Sequence, residues 1–332
     1  MPVRLKDIAR DLGISPMAVS KALRGHKDIG QETREKVLRR AKELNYRTNL
    51  IARSLVTGQS FLVGLVVPDL MQTFFAEIAT AIARTLGPEG YHVVISHSGE
   101  NPQTEIADIE LLVSRNVDGL IIASAQDNSR FLRKLKTPYV LIDRTISELG
   151  ANYVGTQNDE TGFVATQHLI EQGCVRIAHL RGPHLSTGEE RMDGYCRALK
   201  ARGYSVRREL IVETGHDDTA GFAAMQQLLK LKSRPDGVFC YNDPVAIGAM
   251  RAILKAGLNV PRDIALVGVA NMRFSDALTV PLSTVDQCTE AVGVRAAQRL
   301  LRCMNGNKDA PPQVVLIPPK LIIRTSSRRK AA

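Results

Sequence analysis

The sequence predicts an α/β protein in which a small all-α N-terminal head precedes a larger α/β body of two lobes. Three observations support this prediction. Apolar residues recur at helical spacing through residues 5–44. From Phe61 onward, short apolar runs alternate with helical stretches, which is typical of parallel sheets with helices on both faces. The first 60 residues also hold most of the surplus positive charge.

The composition narrows the class of protein. The 332 residues are 44% hydrophobic and 23% charged, which is typical of a globular chain of two or three domains. The longest apolar runs are far shorter than the roughly 20 residues of a membrane-spanning helix, and the N-terminus lacks the apolar core of a secretory signal. The five cysteines form no CxxC pair, which favours a reduced, cytoplasmic protein without a metal site.

Sequence motifs of enzymes are missing. The chain has no phosphate-binding GxxxxGK[ST], no dinucleotide-binding GxGxxG after a strand, no HExxH and no GxSxG. The seven histidines are scattered, and His179 lies in an apolar strand, where a core histidine is expected. We therefore predict no enzymatic activity, no catalytic residue and no cofactor.

The net charge of +10 is unevenly distributed. Residues 1–60 carry +7, residues 324–332 carry +4, and the 263 residues between them carry −1. A basic head on a neutral body indicates a polyanion-binding module fused to a domain that binds no polyanion. The alternative is that the basic ends only aid solubility. For the tail, which contains no motif, solubility is the expected role.

Three helices are predicted in the head. Residues 5–12 place apolar side chains on one helical face, and a glycine follows. Ser15 and Pro16 then form a helix start, because the hydroxyl can cap free backbone N–H groups and proline suits the first turn. The second helix spans about residues 16–23 and the third about 31–44. Two short helices around a tight turn form a helix-turn-helix, a motif that also occurs in proteins that bind no nucleic acid.

Motifs along the head resemble the lactose-repressor (LacI/GalR) family of bacterial transcription regulators. They are LKDIA (5–9), GIS (13–15), VSKAL (19–23), ETR (32–34) and ARSL (52–55). The resemblance continues through the body and covers nearly the whole chain. It implies a helix-turn-helix DNA-binding domain over 1–47, a hinge helix or linker over 48–60, an effector-binding and dimerisation body over 61–326 and a basic tail over 327–332.

By this resemblance, the second helix lies in the major groove of DNA, where base edges differ in their donors and acceptors. Lys21 is the best candidate for a base contact because lysine can donate to guanine O6 and N7. Pro16 and Met17 offer no donor, so their contacts would be apolar. Contacts to phosphates alone are the alternative for the basic side chains. The expected contacts in the head are Lys6, Ser15, Pro16, Met17, Ser20, Lys21, Arg24 and Lys27.

Residues 48–57 are too short to persist as an isolated helix in water. In the family, this hinge orders on the operator, and paired leucines from a dimer kink the duplex through the minor groove. Leu55 occupies the leucine position, and Asn49, Ala52 and Arg53 match other hinge contacts. An ordinary linker with a buried leucine is the alternative, and Thr48 stands where many relatives have proline.

The body contains apolar runs at 61–67, 92–96, 119–123, 139–142, 176–180, 237–241 and 264–269. Its two halves share a strand–loop–helix pattern, which indicates two similar Rossmann-like lobes, and the resemblance implies a periplasmic-binding-protein-like arrangement. Later elements would cross back to complete both lobes. The predicted lobes are about 61–160 with 287–317, and about 161–286 with 318–326.

Ligands of such lobes bind in the cleft at the carboxyl ends of the strands. By the resemblance, the effector-facing residues are Phe74, Phe75, Asn158, Thr187, Arg191, Asn242, Asp243 and Asn271. The alternative for the phenylalanines is a core pair at a helix start. Asp143 and Arg144 match a further family pair, for which an ion pair between the lobes is the alternative. One departure is clear: Ala270 stands where relatives carry the aspartate that anchors the ligand.

Together these features predict a sequence-specific DNA-binding transcription regulator, most simply a repressor, that acts as a homodimer on a pseudo-palindromic double-stranded operator. A small molecule, carbohydrate or nucleobase-like, would bind between the lobes and control operator affinity. The alternative is a regulator whose cleft binds no small molecule and which acts through a protein partner. Ala270 keeps this alternative open.

Overall fold

The computed structural model describes residues 3–23, 25–26, 28–46, 54, 58–126, 128–146, 148–306 and 311–329. The chain divides into two units, Met1–Ser60 and Phe61–Ala332. They are called the head and the body.

Three described helices form the head: α1 (Leu5–Leu12), α2 (Pro16–Leu23) and α3 (Gln31–Glu43). Their apolar faces meet in a small core around Ile8, Val19 and Val37, each fully buried. Gly13 ends α1 in the left-handed conformation, with φ of 64°, which a residue without Cβ adopts at little cost. The helix-turn-helix predicted from apolar spacing is therefore present, with α2 over the predicted residues.

The strands of lobe 1 of the body are β1 (Leu62–Val67), β2 (His92–His97), β3 (Gly119–Ile122), β4 (Tyr139–Ile142), β5 (Tyr153–Thr156) and β11 (Val314–Ile317). They form a six-stranded parallel sheet in the order β11-β5-β4-β3-β1-β2. The strands are largely apolar, and the inner ones are buried because helices cover both faces. The lobe also contains helices α4 (Thr73–Leu86), α5 (Pro102–Ser114) and α10 (Thr289–Asn305).

The strands of lobe 2 are β6 (Ile177–Arg181), β7 (Ile211–Glu213), β8 (Gly237–Cys240), β9 (Ala265–Val269), β10 (Ser283–Asp286) and β12 (Lys320–Ile322). They repeat the plan of lobe 1 in the order β12-β10-β9-β8-β6-β7, with β12 antiparallel to β10. Helices α6 (Asn158–Glu171), α7 (Ser186–Ala201), α8 (Asp218–Leu229) and α9 (Asp243–Lys255) surround the sheet. Separate hydrophobic cores lie on the two faces of this sheet.

The chain passes between the lobes three times, after β5, after β10 and after β11. Each lobe is therefore completed by residues that are distant in sequence. The two-lobed α/β fold agrees with the sequence prediction, whereas the short strands β5, β7 and β10 were not among the predicted runs. No described helix combines the length with the apolar character needed to span a lipid bilayer.

Candidate functional sites

A cleft lies between the lobes at the carboxyl ends of their strands. It contains about 540 Å³ of space, part of which is open to solvent. Both lobes line it, since Phe74, Phe75 and Asp143 belong to lobe 1 while Arg191 and Tyr241 belong to lobe 2. The other lining residues are Gln72, Thr73, Arg144, Pro183, His216, Asn242, Pro244, Ala270, Met272 and Gln287. Nine of these fifteen residues are polar or charged, so the cleft suits a ligand with several hydrogen-bonding groups.

Phe74 and Phe75 begin α4 directly after the loop that follows β1. Their rings meet edge to face with centroids 5.0 Å apart, and both side chains are buried in the core of lobe 1. Both also border the cleft. The two interpretations of this pair are thus compatible, because the same rings close one core and form an apolar wall of the cleft.

Arg191 is the best-positioned polar group of lobe 2. Its Nε donates to Asn158 Oδ1 at 3.0 Å, and its Nη1 donates to the carbonyl of Tyr241 at 2.7 Å. The guanidinium also lies over the Tyr241 ring, 4.8 Å from its centroid. A buried cation held on three sides has a fixed orientation, and its planar fork suits paired acceptors on a ligand.

Close contact of α6 with α7 brings Asn158 and Arg191 together. At Gly194, an added Cβ would lie 1.9 Å from the backbone oxygen of Asp159, so only glycine fits there. Gly162 faces the backbone of Arg191 in the same way, at 2.0 Å. The two glycines let the helix backbones touch one turn from the cleft, which sets the position of the Arg191 side chain.

Thr187 and Asn242 lie near Arg191 but have partners within the protein. The Thr187 hydroxyl is 2.9 Å from the Tyr241 hydroxyl, and Thr187 is fully buried. Asn242 caps α9, since its Oδ1 accepts from the backbone N–H of Val245 at 2.9 Å and its Nδ2 donates to the His216 carbonyl at 2.8 Å. Both therefore position neighbouring cleft residues, and Asn242 itself borders the cleft.

Asp243 is fully buried and is not among the residues that line the cleft. Its carboxylate accepts from the Thr284 hydroxyl at 2.6 Å, the backbone N–H of Met272 at 2.9 Å and the Ser275 hydroxyl at 3.1 Å. Burial raises the pKa of Asp243, and these hydrogen bonds oppose the rise. Through its hydrogen bonds to Met272 and Ser275, Asp243 fixes the 270–275 loop.

Asn271 is not among the residues that line the cleft, and its amide is paired within the protein. Its Nδ2 donates to Asp286 at 3.1 Å and its Oδ1 accepts from Arg324 at 2.8 Å. The neighbouring Ala270 lines the cleft with a φ of 125°, a conformation that L residues rarely adopt. The methyl group of Ala270 thus borders the cleft where the family pattern expects a carboxylate.

Asp143 and Arg144 form a charged cluster within lobe 1. Arg144 makes a two-pronged contact with Glu100 at 2.6 and 2.7 Å and lies 3.5 Å from Asp143. Burial raises the pKa of Asp143, which the positive charges of Arg144 and Arg191 oppose. The hypothesis of an ion pair between the lobes is wrong for the arginine, because its carboxylate partners belong to lobe 1.

Sequence reasoning missed several lining residues: Gln72, Thr73, His216, Tyr241, Met272 and Gln287. Tyr241 has the clearest signal, since it directly follows the buried strand β8 and strands end at the cleft. Gln287 lies on a crossover between the lobes, and nothing in its local sequence marks it. Its side chain is buried beside the cleft only because the chain returns to lobe 1 at this point.

On the head, the predicted DNA-contact residues are mostly accessible. Lys6, Pro16 and Met17 are exposed, with Met17 67% exposed, and Ser20 is partly exposed. The Ser15 hydroxyl accepts from the backbone N–H of Ala18 at 3.1 Å, as expected for a cap of α2. Pro16 and Met17 are therefore accessible at the start of α2.

Lys21 does not point freely into solvent. Its Nζ lies 2.5 Å from Oδ2 of Asp28, and this hydrogen bond and charge hold the pKa of Asp28 below its usual range. The predicted contacts that remain lie outside the described residues: Arg24, Lys27, Asn49, Ala52, Arg53 and Leu55.

The basic C-terminal segment has a structural role that its sequence did not indicate. Arg324 donates to the Leu282 carbonyl and to Asn271, each at 2.8 Å. Arg329 donates to the carbonyls of Asp236, Pro261 and Asp263. The expectation that the tail charge is only solubilising is therefore wrong for these two arginines, since they fasten the end of the chain to lobe 2.

Two family models match the chain. "Bacterial regulatory proteins, lacI family" matches residues 4–49, and "Periplasmic binding protein-like domain" matches residues 166–327. The HTH-type transcriptional repressor PurR of Proteus mirabilis is 32% identical, with 97% of this chain and 96% of the relative covered. The ribose operon repressor of Haemophilus influenzae is 31% identical, with 97% and 98% covered.

Solved structures are similar over the same length. The lac repressor dimer bound to operator and the anti-inducer ONPF matches with a TM-score of 0.88 at 27% identity, covering 98% of this chain and 99% of that one. The complex of the transcriptional regulator CelR with cellobiose matches with a TM-score of 0.73 at 29% identity, covering 98% and 100%. The matches extend over head and body alike.

Proposed function

The chain belongs to the lacI family of bacterial regulatory proteins and is a DNA-binding transcriptional repressor; on this basis we propose that a small molecule bound between its lobes controls its affinity for an operator. The observation that carries this proposal is the cleft. It combines an aromatic wall from Phe74 and Phe75 with a fixed buried guanidinium from Arg191 and the carboxylate of Asp143. Such a site can hold an apolar ring face on one side and hydroxyl or carbonyl groups on the other.

A carbohydrate or a related metabolite suits these groups best. Arg191 offers paired N–H donors, Asp143 offers acceptors, and the phenylalanine rings offer an apolar surface for a sugar ring. The relatives named for ribose and cellobiose support this class. A nucleobase is the second class to test, since the carboxylate that is missing at Ala270 would accept from sugar hydroxyls and from ring N–H groups alike.

In the proposed mechanism, the ligand contacts both lobes and so favours one angle between them. Operator binding favours one of the same states, so the two ligands are coupled and each changes the affinity of the other equally. Coupling of about 1–3 kcal/mol, typical of such systems, corresponds to a change of roughly 5- to 150-fold in operator affinity. We propose that the repressor binds as a homodimer to an operator of two half-sites. In each subunit, the second helix of the head and the hinge segment would contact one half-site.

Two measurements on the full-length chain test the proposal. A thermal-shift screen of sugars, sugar acids and nucleobases identifies ligands, since a molecule at 100 times its Kd stabilises the folded state by about 2.7 kcal/mol. Fluorescence anisotropy with a duplex selected from a randomised pool then gives operator affinity with and without each hit. We expect one compound to change both quantities, and Arg191→Met to abolish both effects.

A second candidate is a repressor whose cleft takes no small molecule and which responds to a protein partner. Ala270 favours it, because the usual anchoring carboxylate is missing and Asn271 is engaged with Arg324. If the chain binds the selected duplex and no compound alters that affinity, the small-molecule proposal is wrong and this candidate replaces it.

A further inference from the structure

The contact between Lys21 and Asp28 bears on how the head would discriminate among DNA sequences. Lys21 lies in the last turn of α2, and Asp28 lies seven residues later, before α3 begins. The ammonium and the carboxylate are 2.5 Å apart, and both side chains stay partly exposed, 36% and 52% respectively. The pair therefore lies at the surface, beside the outward face of α2.

The segment that carries Asp28 is fastened to both helices. The backbone N–H of His26 donates to the Lys21 carbonyl at 3.1 Å, and that of Ile29 donates to the His26 carbonyl at 3.3 Å. The same His26 carbonyl accepts from Arg34 of α3 at 2.7 Å. The backbone on either side of Asp28, at His26 and at Ile29, is thus anchored by hydrogen bonds other than the ion pair.

Stability of the fold does not explain the pair. Exposed lysine–carboxylate pairs contribute little, because water screens the charges and two long side chains lose rotamer freedom. The pKa of Asp28 is held below its usual range by Lys21, so the carboxylate is charged at neutral pH. An acidic side chain next to a predicted base-contacting lysine, in a head of net charge +7, opposes binding to polyanions in general.

We propose that Asp28 is a specificity-determining residue, which pairs with Lys21, suppresses its binding to phosphates and directs its ammonium toward a base edge. This inference rests on the proposed DNA binding by the head. A lysine ammonium has three N–H donors, so it can keep one on Asp28 and donate another to guanine O6 or N7. At a phosphate, by contrast, the paired charges cancel and few counterions are released.

The salt dependence of non-specific binding measures this effect. Each additional phosphate neutralised by a free cation changes the slope of log K against log salt by about −0.9. Freeing Lys21 with Asp28→Asn should therefore steepen this slope by about 0.9 on a permuted duplex, which has the bases of the selected duplex in scrambled order. If the two lines meet at 1 M salt, this difference in slope corresponds to about eightfold tighter binding at 0.1 M salt. Affinity for the selected duplex should rise less, so the ratio of specific to non-specific affinity should fall several-fold.

Glu32→Gln is the matched control. Glu32 is also an exposed carboxylate paired with a lysine, Lys36, at 2.8 Å, and its pKa is likewise held below its usual range. Both substitutions raise the net charge of the head by one, but the Glu32 pair lies along α3 and not on α2. We expect this variant to leave the affinity ratio within about twofold of wild type, since a general charge effect falls equally on both duplexes.

The decisive experiment is fluorescence anisotropy of the full-length chain on the selected and permuted duplexes over a range of salt concentrations. The variants are Asp28→Asn, Glu32→Gln, Lys21→Met and the Asp28→Asn/Lys21→Met double variant. We expect the Asp28→Asn effect to vanish in the Lys21→Met background, since the carboxylate acts through that lysine. Equal effects of Asp28→Asn and Glu32→Gln, or persistence of the effect without Lys21, would overturn the inference. If wild type binds neither duplex, the proposed function fails instead.

Discussion

Gly194→Ala tests whether contact between α6 and α7 sets the cleft. The added Cβ would lie 1.9 Å from the Asp159 carbonyl oxygen and 2.7 Å from the Phe163 backbone nitrogen. Ordinary contacts of a Cβ begin near 3.4 Å, so the backbones must separate by more than an ångström. Overpacking of this kind costs about 1–3 kcal/mol, and we expect the upper part of that range because both obstacles are backbone atoms. The same separation draws Arg191 away from Asn158, whose hydrogen bond is 3.0 Å.

Urea unfolding followed by circular dichroism measures the stability loss, and the thermal-shift screen measures ligand binding by the same variant. Gly87→Ala is the control, because an added Cβ there meets no atom within 4 Å and φ is ordinary at −55°. We expect the control to be neutral or slightly stabilising, since alanine restricts the unfolded chain. Equal unfolding midpoints for Gly194→Ala and wild type would refute the packing argument. If the variant is clearly less stable and still binds ligand like wild type, the contact between α6 and α7 stabilises the fold but does not set the cleft.

Three further changes have defined outcomes. His179 is fully buried between the rings of Phe239 and Tyr195, and burial lowers its pKa to about 4, so its neutral form is favoured in the folded state. Between about pH 4 and about pH 6.5 the unfolded chain therefore binds more protons than the folded chain, so the free energy of unfolding should fall by up to about 3 kcal/mol as the pH drops through this window. His179→Phe should remove this component from the pH dependence of the urea midpoints. Arg191→Lys should weaken ligand binding at least tenfold by titration calorimetry while retaining the fold, because lysine keeps the charge and loses the planar fork; wild-type affinity would rule out a forked contact. Leu55→Ala should reduce affinity for the selected duplex more than for a permuted one, as loss of a minor-groove wedge requires; equal losses would exclude the wedge.

Much of this fold follows from local sequence patterns. The spacing of apolar residues predicts α1 and α2 closely, because burial of one helical face depends on residues three and four positions apart. The apolar runs at 61–67 and 237–241 predict the buried parallel strands β1 and β8 for a similar reason. The short strand Ile211–Glu213 was missed, since it is a half-buried edge strand with a polar end and carries no apolar run.

The candidate site, like the fold, follows only in part from the sequence. The sequence placed Phe74, Phe75 and Arg191 at the cleft, because the resemblance carried them and they lie near the carboxyl ends of strands. It also placed Asn271 there, yet that side chain is held by Arg324, 53 residues further along the chain.

What the sequence determined by itself was the order of elements, the charged head and the kinds of side chain available to the cleft. Tertiary structure alone decided which of those side chains are free to meet a ligand. Asp243 accepts a hydrogen bond from the 270–275 loop, and the Tyr241 ring lies beside the Arg191 guanidinium. Gly194 lets the backbones of α6 and α7 come into contact. The physical reason is that secondary structure depends on neighbours along the chain, whereas a polar group is paired by whichever partner packing brings within hydrogen-bond distance.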